Sequence, residues 1–134
     1  MKIFLDTSFI VAFYNGEDKN HTRARAFMGE ADQSLSCLIS DYVFDEVLTV
    51  LLVRGGKALS IEASRKILED ERIDLLQIDT ETFDKAWLVY QSFEDKQWSF
   101  TDCTFYVLMK NLSIDTGASF DNHFDQFGFI AVPR

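Results

Sequence analysis

Lys2-Ile3-Phe4-Leu5-Asp6-Thr7-Ser8-Phe9 is an apolar run that ends on a carboxylate and then changes its pattern. The run, with Met1 at its head, reads as a short strand over residues 2–5. Residues 7–14 read as a short helix closed by the turn Asn15-Gly16-Glu17-Asp18. The same alternation continues outward along the chain. Residues 21–31, rich in Ala, Arg, Met and Glu, predict a helix. Ser36-Cys37-Leu38-Ile39 predicts a second strand, and Ser40 offers an N-cap to a helix over 41–54. There Phe44, Val47, Leu48 and Leu51 keep helical spacing, and Gly55-Gly56 ends the helix. A helix over 60–70, a strand over 73–78, helices over 80–93 and 101–111, and strands over 115–119 and 129–132 complete the reading. Strands separated by helices imply a three-layer α/β/α sandwich around a mostly parallel sheet of about five short strands. In such sheets ligands bind beyond the carboxyl ends of the strands, so the residues that follow each strand carry the functional argument.

The chain has 134 residues, 47% of them hydrophobic, with thirteen Phe and a single Pro. That suits one domain over residues 1–134 with a core large enough to need no disulfides. Cys37 and Cys103 lie in apolar runs without zinc-site spacing, so they read as buried reduced thiols and fit a reducing cytoplasm. No basic-then-apolar leader and no membrane-length apolar run is seen. The formal net charge is -9. A polyanion would then have to be held by a local basic surface. The candidates are Lys19, Arg23 and Arg25 on the second helix, and Arg54 and Lys57 around Gly55-Gly56. The acidity also suits a basic protein partner.

Four acids stand where this architecture places ligands. Asp6 follows the first strand, and Asp121 follows the fourth. Glu46 lies on a helix with Val43, Val50 and Val53 as neighbours, and Asp102 begins an apolar helix. Each has an ordinary structural reading. Asp6 could cap a helix, Glu46 could reach solvent or an Arg, and Asp121 could be a turn residue. Ser99-Phe100-Thr101-Asp102 fits a capping box. Taken together the four can converge. Packed without a cation they would repel and raise one another's pKa. A hard divalent ion with oxygen ligands, Mg²⁺ or Mn²⁺, removes that conflict and suits phosphate chemistry. Other chemistry lacks its motifs. There is no Gly-x-Gly-x-x-Gly, no Walker loop and no His-Glu-x-x-His. Asp6-Thr7-Ser8 lacks the second Asp of an aspartyl phosphatase. His21 and His123 read as structural or surface residues.

Leu5-Asp6-Thr7-Ser8-Phe9, Asp45-Glu46-Val47, Ser99-Phe100-Thr101-Asp102-Cys103, Ser119-Phe120-Asp121-Asn122-His123-Phe124 and the closing Phe127-Gly128-Phe129 occur in an order that resembles the PIN-domain family. They are similar in particular to VapC-type toxin ribonucleases of type II toxin–antitoxin pairs. The resemblance spans nearly the whole chain. It implies a metal-dependent endoribonuclease with Asp6, Glu46, Asp102 and Asp121 as the catalytic and metal-binding set, and Thr7 and Thr101 as polar support. It also implies an RNA substrate, a cognate antitoxin and a homodimer. Asp6 and Asp102 would contact the ion, Glu46 would orient a water or accept its proton, and Asp121 would position a second ion or a water. The competing readings are a PIN-like domain that binds RNA or protein without cleaving, and a metal-dependent phosphatase or nuclease of another specificity.

Overall fold

The computed structural model describes residues 2–31 and 34–134, so Met1 at the head of the expected first strand lies outside the described residues. In chain order the elements are β1 (Lys2–Leu5), α1 (Thr7–Tyr14), α2 (His21–Glu30), β2 (Ser36–Ser40), α3 (Asp41–Gly55), α4 (Lys57–Glu69), β3 (Ile73–Leu76), α5 (Thr80–Ser92), α6 (Phe100–Asn111), β4 (Thr116–Ala118), α7 (His123–Gln126) and β5 (Ile130–Val132). The strands form one sheet in the order β3-β2-β1-β4-β5, and every pairing is parallel. The chain steps from β1 to β2 to β3 in one direction, then returns past β1 to β4 and β5. Right-handed crossovers therefore put α1 to α4 on one face and α5 to α7 on the other. The direction reverses between β1 and β4, and a crevice opens there above the strand ends.

Burial explains the strand patterns. β1 and β2 are almost wholly buried, as expected of central strands covered on both faces. β3 alternates between half-buried and exposed residues, which suits its edge position. On α3 the fully buried stripe is Val43, Val47 and Leu51, while Phe44 and Leu48 are half-buried beside it. The rings of Phe4, Phe105 and Phe124 pack β1 against α6 and α7, each successive pair 5.2 Å apart. Cys37 and Cys103 are free and buried, and burial pushes both thiols up to about 11.

Most element ends fall within a residue of the sequence expectation, and the larger differences have local reasons. α4 begins at Lys57 rather than at 60, because Gly56 at φ 92° makes the whole turn from α3 by itself. Ser60, inside α4, donates its hydroxyl to the Leu48 carbonyl at 3.0 Å and pins the two helices together. β3 stops at Leu76 because the Ile78 amide leaves the sheet to donate to Asp41 Oδ1 at 3.0 Å. The four-residue α7 is too short to give a periodic signal.

Gly117 lies on β4 directly beneath the crevice. A Cβ there would sit 2.6 Å from Phe124 Cζ and closer still to Cε1. Phe124 is fully buried and has no free direction in which to yield. Gly117→Ala is therefore expected to destabilise the fold by about 1–3 kcal/mol, as overpacking does. Urea unfolding would show this as a lower midpoint at unchanged slope.

Candidate active site

A cavity of about 420 Å³ opens at the β1/β4 crevice, and Asp6, Glu46, Asp102 and Asp121 all line it. The fold brings them from four directions. Asp6 ends β1, with its amide donating to the Ala118 carbonyl of β4 at 3.0 Å. Glu46 sits one turn into α3, the helix that leaves β2. Asp102 is in the first turn of α6, and Asp121 follows β4.

Asp6 occupies the N-cap position of α1 but makes no side-chain cap, so the capping reading does not apply. Its Oδ2 instead accepts from the Ser8 and Ser119 hydroxyls, each at 2.8 Å. Ser8 Oγ in turn accepts from the Phe120 amide at 3.0 Å, and Ser119 Oγ accepts from the Asp121 amide at 2.9 Å. These two hydroxyls lock the end of β1 to the loop after β4. Asp6 is 4% exposed. Burial pushes its pKa up to about 6, and the charges of Asp102 and Asp121 add to the rise against the two serine hydrogen bonds. Burial also raises Glu46. The Thr7 hydroxyl faces it and opposes that rise, while Asp102 and Asp121 reinforce it. Thr7 Oγ1 is nevertheless buried with no hydrogen bond of full geometry, a polar atom left open beside the acids.

Asp102 carries both of its sequence readings at once. The capping box is complete, with the Ser99 amide donating to Asp102 Oδ2 at 2.9 Å and the Asp102 amide donating to Ser99 Oγ at 3.0 Å. The same Oδ2 meets His123 Nδ1 at 2.8 Å. Burial raises Asp102, while the Ser99 amide and His123 hold the rise down. Asp121 Oδ1 accepts from the His123 amide at 2.9 Å and lies 3.3 Å from His123 Nδ1.

In each of the three aspartates one oxygen is held by these bonds. The other, Oδ1 of Asp6 and Asp102 and Oδ2 of Asp121, makes no hydrogen bond among the described residues. Hard oxygens, free on one side and mutually repelling, fit a hard divalent cation. Among the described residues no three His, Cys, Asp or Glu side chains are already arranged around a common point as a metal cage.

The basic candidates separate. Lys19, in the turn before α2 rather than on that helix, and Arg54 line the acidic cavity, and Arg54 lies 4.0 Å from Asp18 Oδ2 at its rim. Arg23 lies in an adjoining cleft, with its guanidinium 5.1 Å from the Phe120 ring centre. Arg25 turns to the opposite side of α2 and packs over Phe13 at 4.6 Å. Lys57 is exposed at the start of α4, outside the cavity lining. Thr101 is likewise outside the lining, its carbonyl accepting from the Thr104 hydroxyl at 2.6 Å. His21 has its structural role, with Nδ1 2.8 Å from the Ala12 carbonyl.

Sequence reasoning missed Ser8, Ser119 and His123 as parts of the site. Ser8 and Ser119 are 111 residues apart, and only the β1–β4 pairing joins them. The His123 signal was its position two residues after Asp121. His123→Asn, whose amide can reproduce the Nδ1 contact, is expected to keep most divalent-ion affinity. His123→Ala should weaken it by about tenfold, the value of one charge-assisted hydrogen bond. Calorimetric Mn²⁺ titration of both variants checks this.

A family model described as PIN domain matches residues 3–130. The chain is 29% identical over 131 residues to the 23S rRNA-specific endonuclease VapC20 of Mycobacterium tuberculosis, covering 97% of both chains. The crystal structure of that protein, described as a sarcin–ricin loop cleaving toxin, superposes with a TM-score of 0.88 at 25% identity over 96% of each chain. VapBC2 of Rickettsia felis, bound to a promoter DNA fragment, shares the fold at TM-score 0.69 and 13% identity, over 98% of this chain and 97% of that one. FitAcB of Neisseria gonorrhoeae does so at 0.68 and 15%, over 99% and 97%.

Proposed function

Because the chain belongs to the PIN-domain family, we propose that it is an endoribonuclease that hydrolyses RNA phosphodiester bonds, acting as the toxin of a toxin–antitoxin pair. The observation that carries this reading is the convergence of Asp6, Glu46, Asp102 and Asp121 on one cavity at the sheet's switch point. Asp6, Asp102 and Asp121 would hold Mg²⁺ or Mn²⁺. The ion supplies charge stabilisation at the phosphate and a more acidic water when bound. Glu46, with a pKa raised by burial, is the proton acceptor for the attacking water. The Ser8 and Ser119 hydroxyls fix the Asp6 rotamer, and His123 fixes Asp102 against Asp121. Lys19 and Arg54 at the cavity wall meet the substrate phosphates. The complete acid set counts against a PIN-like domain that binds without cleaving.

VapC20 acts on 23S rRNA by its name, and ribosomal RNA is accordingly the first substrate for this chain. The test is cleavage of ribosomal RNA, single-stranded DNA and a simple phosphate ester, with Mg²⁺, Mn²⁺ or EDTA. Metal-dependent cleavage of RNA alone is the expected result. Cleavage that persists in EDTA, or equal hydrolysis of the simple ester, would overturn it.

A cognate antitoxin and a cytoplasmic setting follow from the same reading. Among the described residues no helix is long and apolar enough to cross a membrane. For the homodimer we assign the α5 surface, where Phe83, Trp87, Leu88 and Tyr90 are exposed. Trp87→Glu is expected to convert a dimer to a monomer by light scattering.

A further inference from the structure

Next to the acidic cavity lies a second cleft of about 460 Å³. The two share a ridge formed by Phe120, Asp121 and Asn122, and both are walled by Lys19 and Asn20. Their charges differ. The first cavity sets Lys19 and Arg54 against five carboxylates. In the second, Lys19, Arg23 and Arg134 face only Asp121 and Asp125. In a protein of net charge -9 this cleft is far less acidic than the cavity beside it.

The exposed Arg23 side chain lines this cleft. Its guanidinium sits 5.1 Å from the Phe120 ring centre, and that ring stacks on Phe9 at 5.8 Å with 22° between planes. Its hydrogen bonds to the Pro133 carbonyl and Asn20 Oδ1 are long, at 3.4 and 3.5 Å. Contacts that long are weak and leave its donors largely unused. A guanidinium with spare donors matches a phosphate oxygen pair. Arg23 has no ion-pair partner among the salt bridges of the described residues.

We propose that this second cleft takes the nucleotide next to the scissile bond, with Arg23 and Lys19 on its phosphate, so that the RNA crosses the Phe120–Asn122 ridge as a single strand. The inference rests on the ribonuclease reading above. A chain that bends over a ridge between two clefts must be unpaired there, which favours loops over helical RNA. The acidic cavity then performs the cleavage while its neighbour supplies the grip that clustered carboxylates lack.

The test uses full-length protein carrying Asp6→Asn, so that RNA is bound and not consumed. Fluorescence anisotropy compares a short labelled single-stranded RNA with a dinucleotide that has one phosphodiester. Arg23→Glu is expected to weaken the longer RNA by about tenfold. It should lower the salt slope by roughly 0.7 and change dinucleotide binding little. Arg25→Glu alters the charge of the same helix equally, on its other side, and is expected to do far less. Lys19→Gln, at the wall of both clefts, should weaken the longer RNA and the dinucleotide alike, and thermal melts establish that all variants are folded. Equal effects at Arg23 and Arg25, or an equal loss with the dinucleotide in Arg23→Glu, would overturn the proposal. If the parent binds no RNA and the wild type with Mg²⁺ cleaves none, the ribonuclease reading fails and this cleft with it. If the parent binds and the wild type cleaves, but Arg23 and Lys19 substitutions change neither, only this inference fails.

Discussion

Asp6→Asn is expected to lower Mg²⁺-supported RNA cleavage by roughly a thousandfold or more. An ion that stabilises phosphate charge contributes several kcal/mol, and each 1.4 kcal/mol is a decade in rate. Asn keeps the shape and can still accept from Ser8 and Ser119, so the loop after β4 stays tied to β1. What it loses is the charge at the centre of the cavity. Asp102→Asn should reduce cleavage comparably. The Asn oxygen can likewise still meet the Ser99 amide and His123, so neither variant is expected to lose stability in the absence of metal. Cleavage assays in nuclease-free preparations, paired with thermal melts, check both halves. Near-wild-type activity in either variant would remove the assignment of these two acids.

The strand and helix order, α7 apart, was legible because the strands are short apolar runs and helical segments separate them. The expectation at Ser40 held, with its hydroxyl accepting from the Val43 amide at 3.1 Å. The Ser99 capping box was legible for the same reason, since both partners lie within one turn. What stayed hidden depends on contacts between distant segments. Asp41 shortens β3 from 37 residues away, and no local pattern reports it. The apolar residues around Glu46 suggested a buried stripe, but Val53 is 79% exposed. Glu46 thus sits on the border of the buried face, which is where a carboxylate can line a cavity and remain accessible. The basic residues were the least legible. Arg23 and Arg25 are two positions apart on one helix, about 200° of rotation, and so serve opposite surfaces. Sequence proximity grouped them, and helical geometry separates them.

The metal-free protein is expected to lose stability as pH rises through about 6, and Asp6→Asn to abolish most of that loss. The Asp6 pKa is raised from 3.8 to about 6, first by burial and then by Asp102 and Asp121. A group whose folded pKa is raised binds its proton more tightly in the fold than in the unfolded chain. The stability it lends is complete below about pH 4 and is lost as pH climbs through the folded value. The displacement corresponds to about 3 kcal/mol as an upper figure. Glu46 and Asp102 are raised as well, so they act in the same direction. Bound Mg²⁺ should reverse the trend, because it favours the ionised acids that repel one another without it and stabilises only the folded form. Thermal melts at pH 5 and pH 7.5, in EDTA and in Mg²⁺, separate the cases. In EDTA the wild type should fall relative to Asp6→Asn at the higher pH, and in Mg²⁺ the gap should close or change sign. Parallel pH curves for the two proteins in EDTA would mean that Asp6 is not the strained acid of this cavity, and the repulsion would have to be assigned to Glu46 and Asp102.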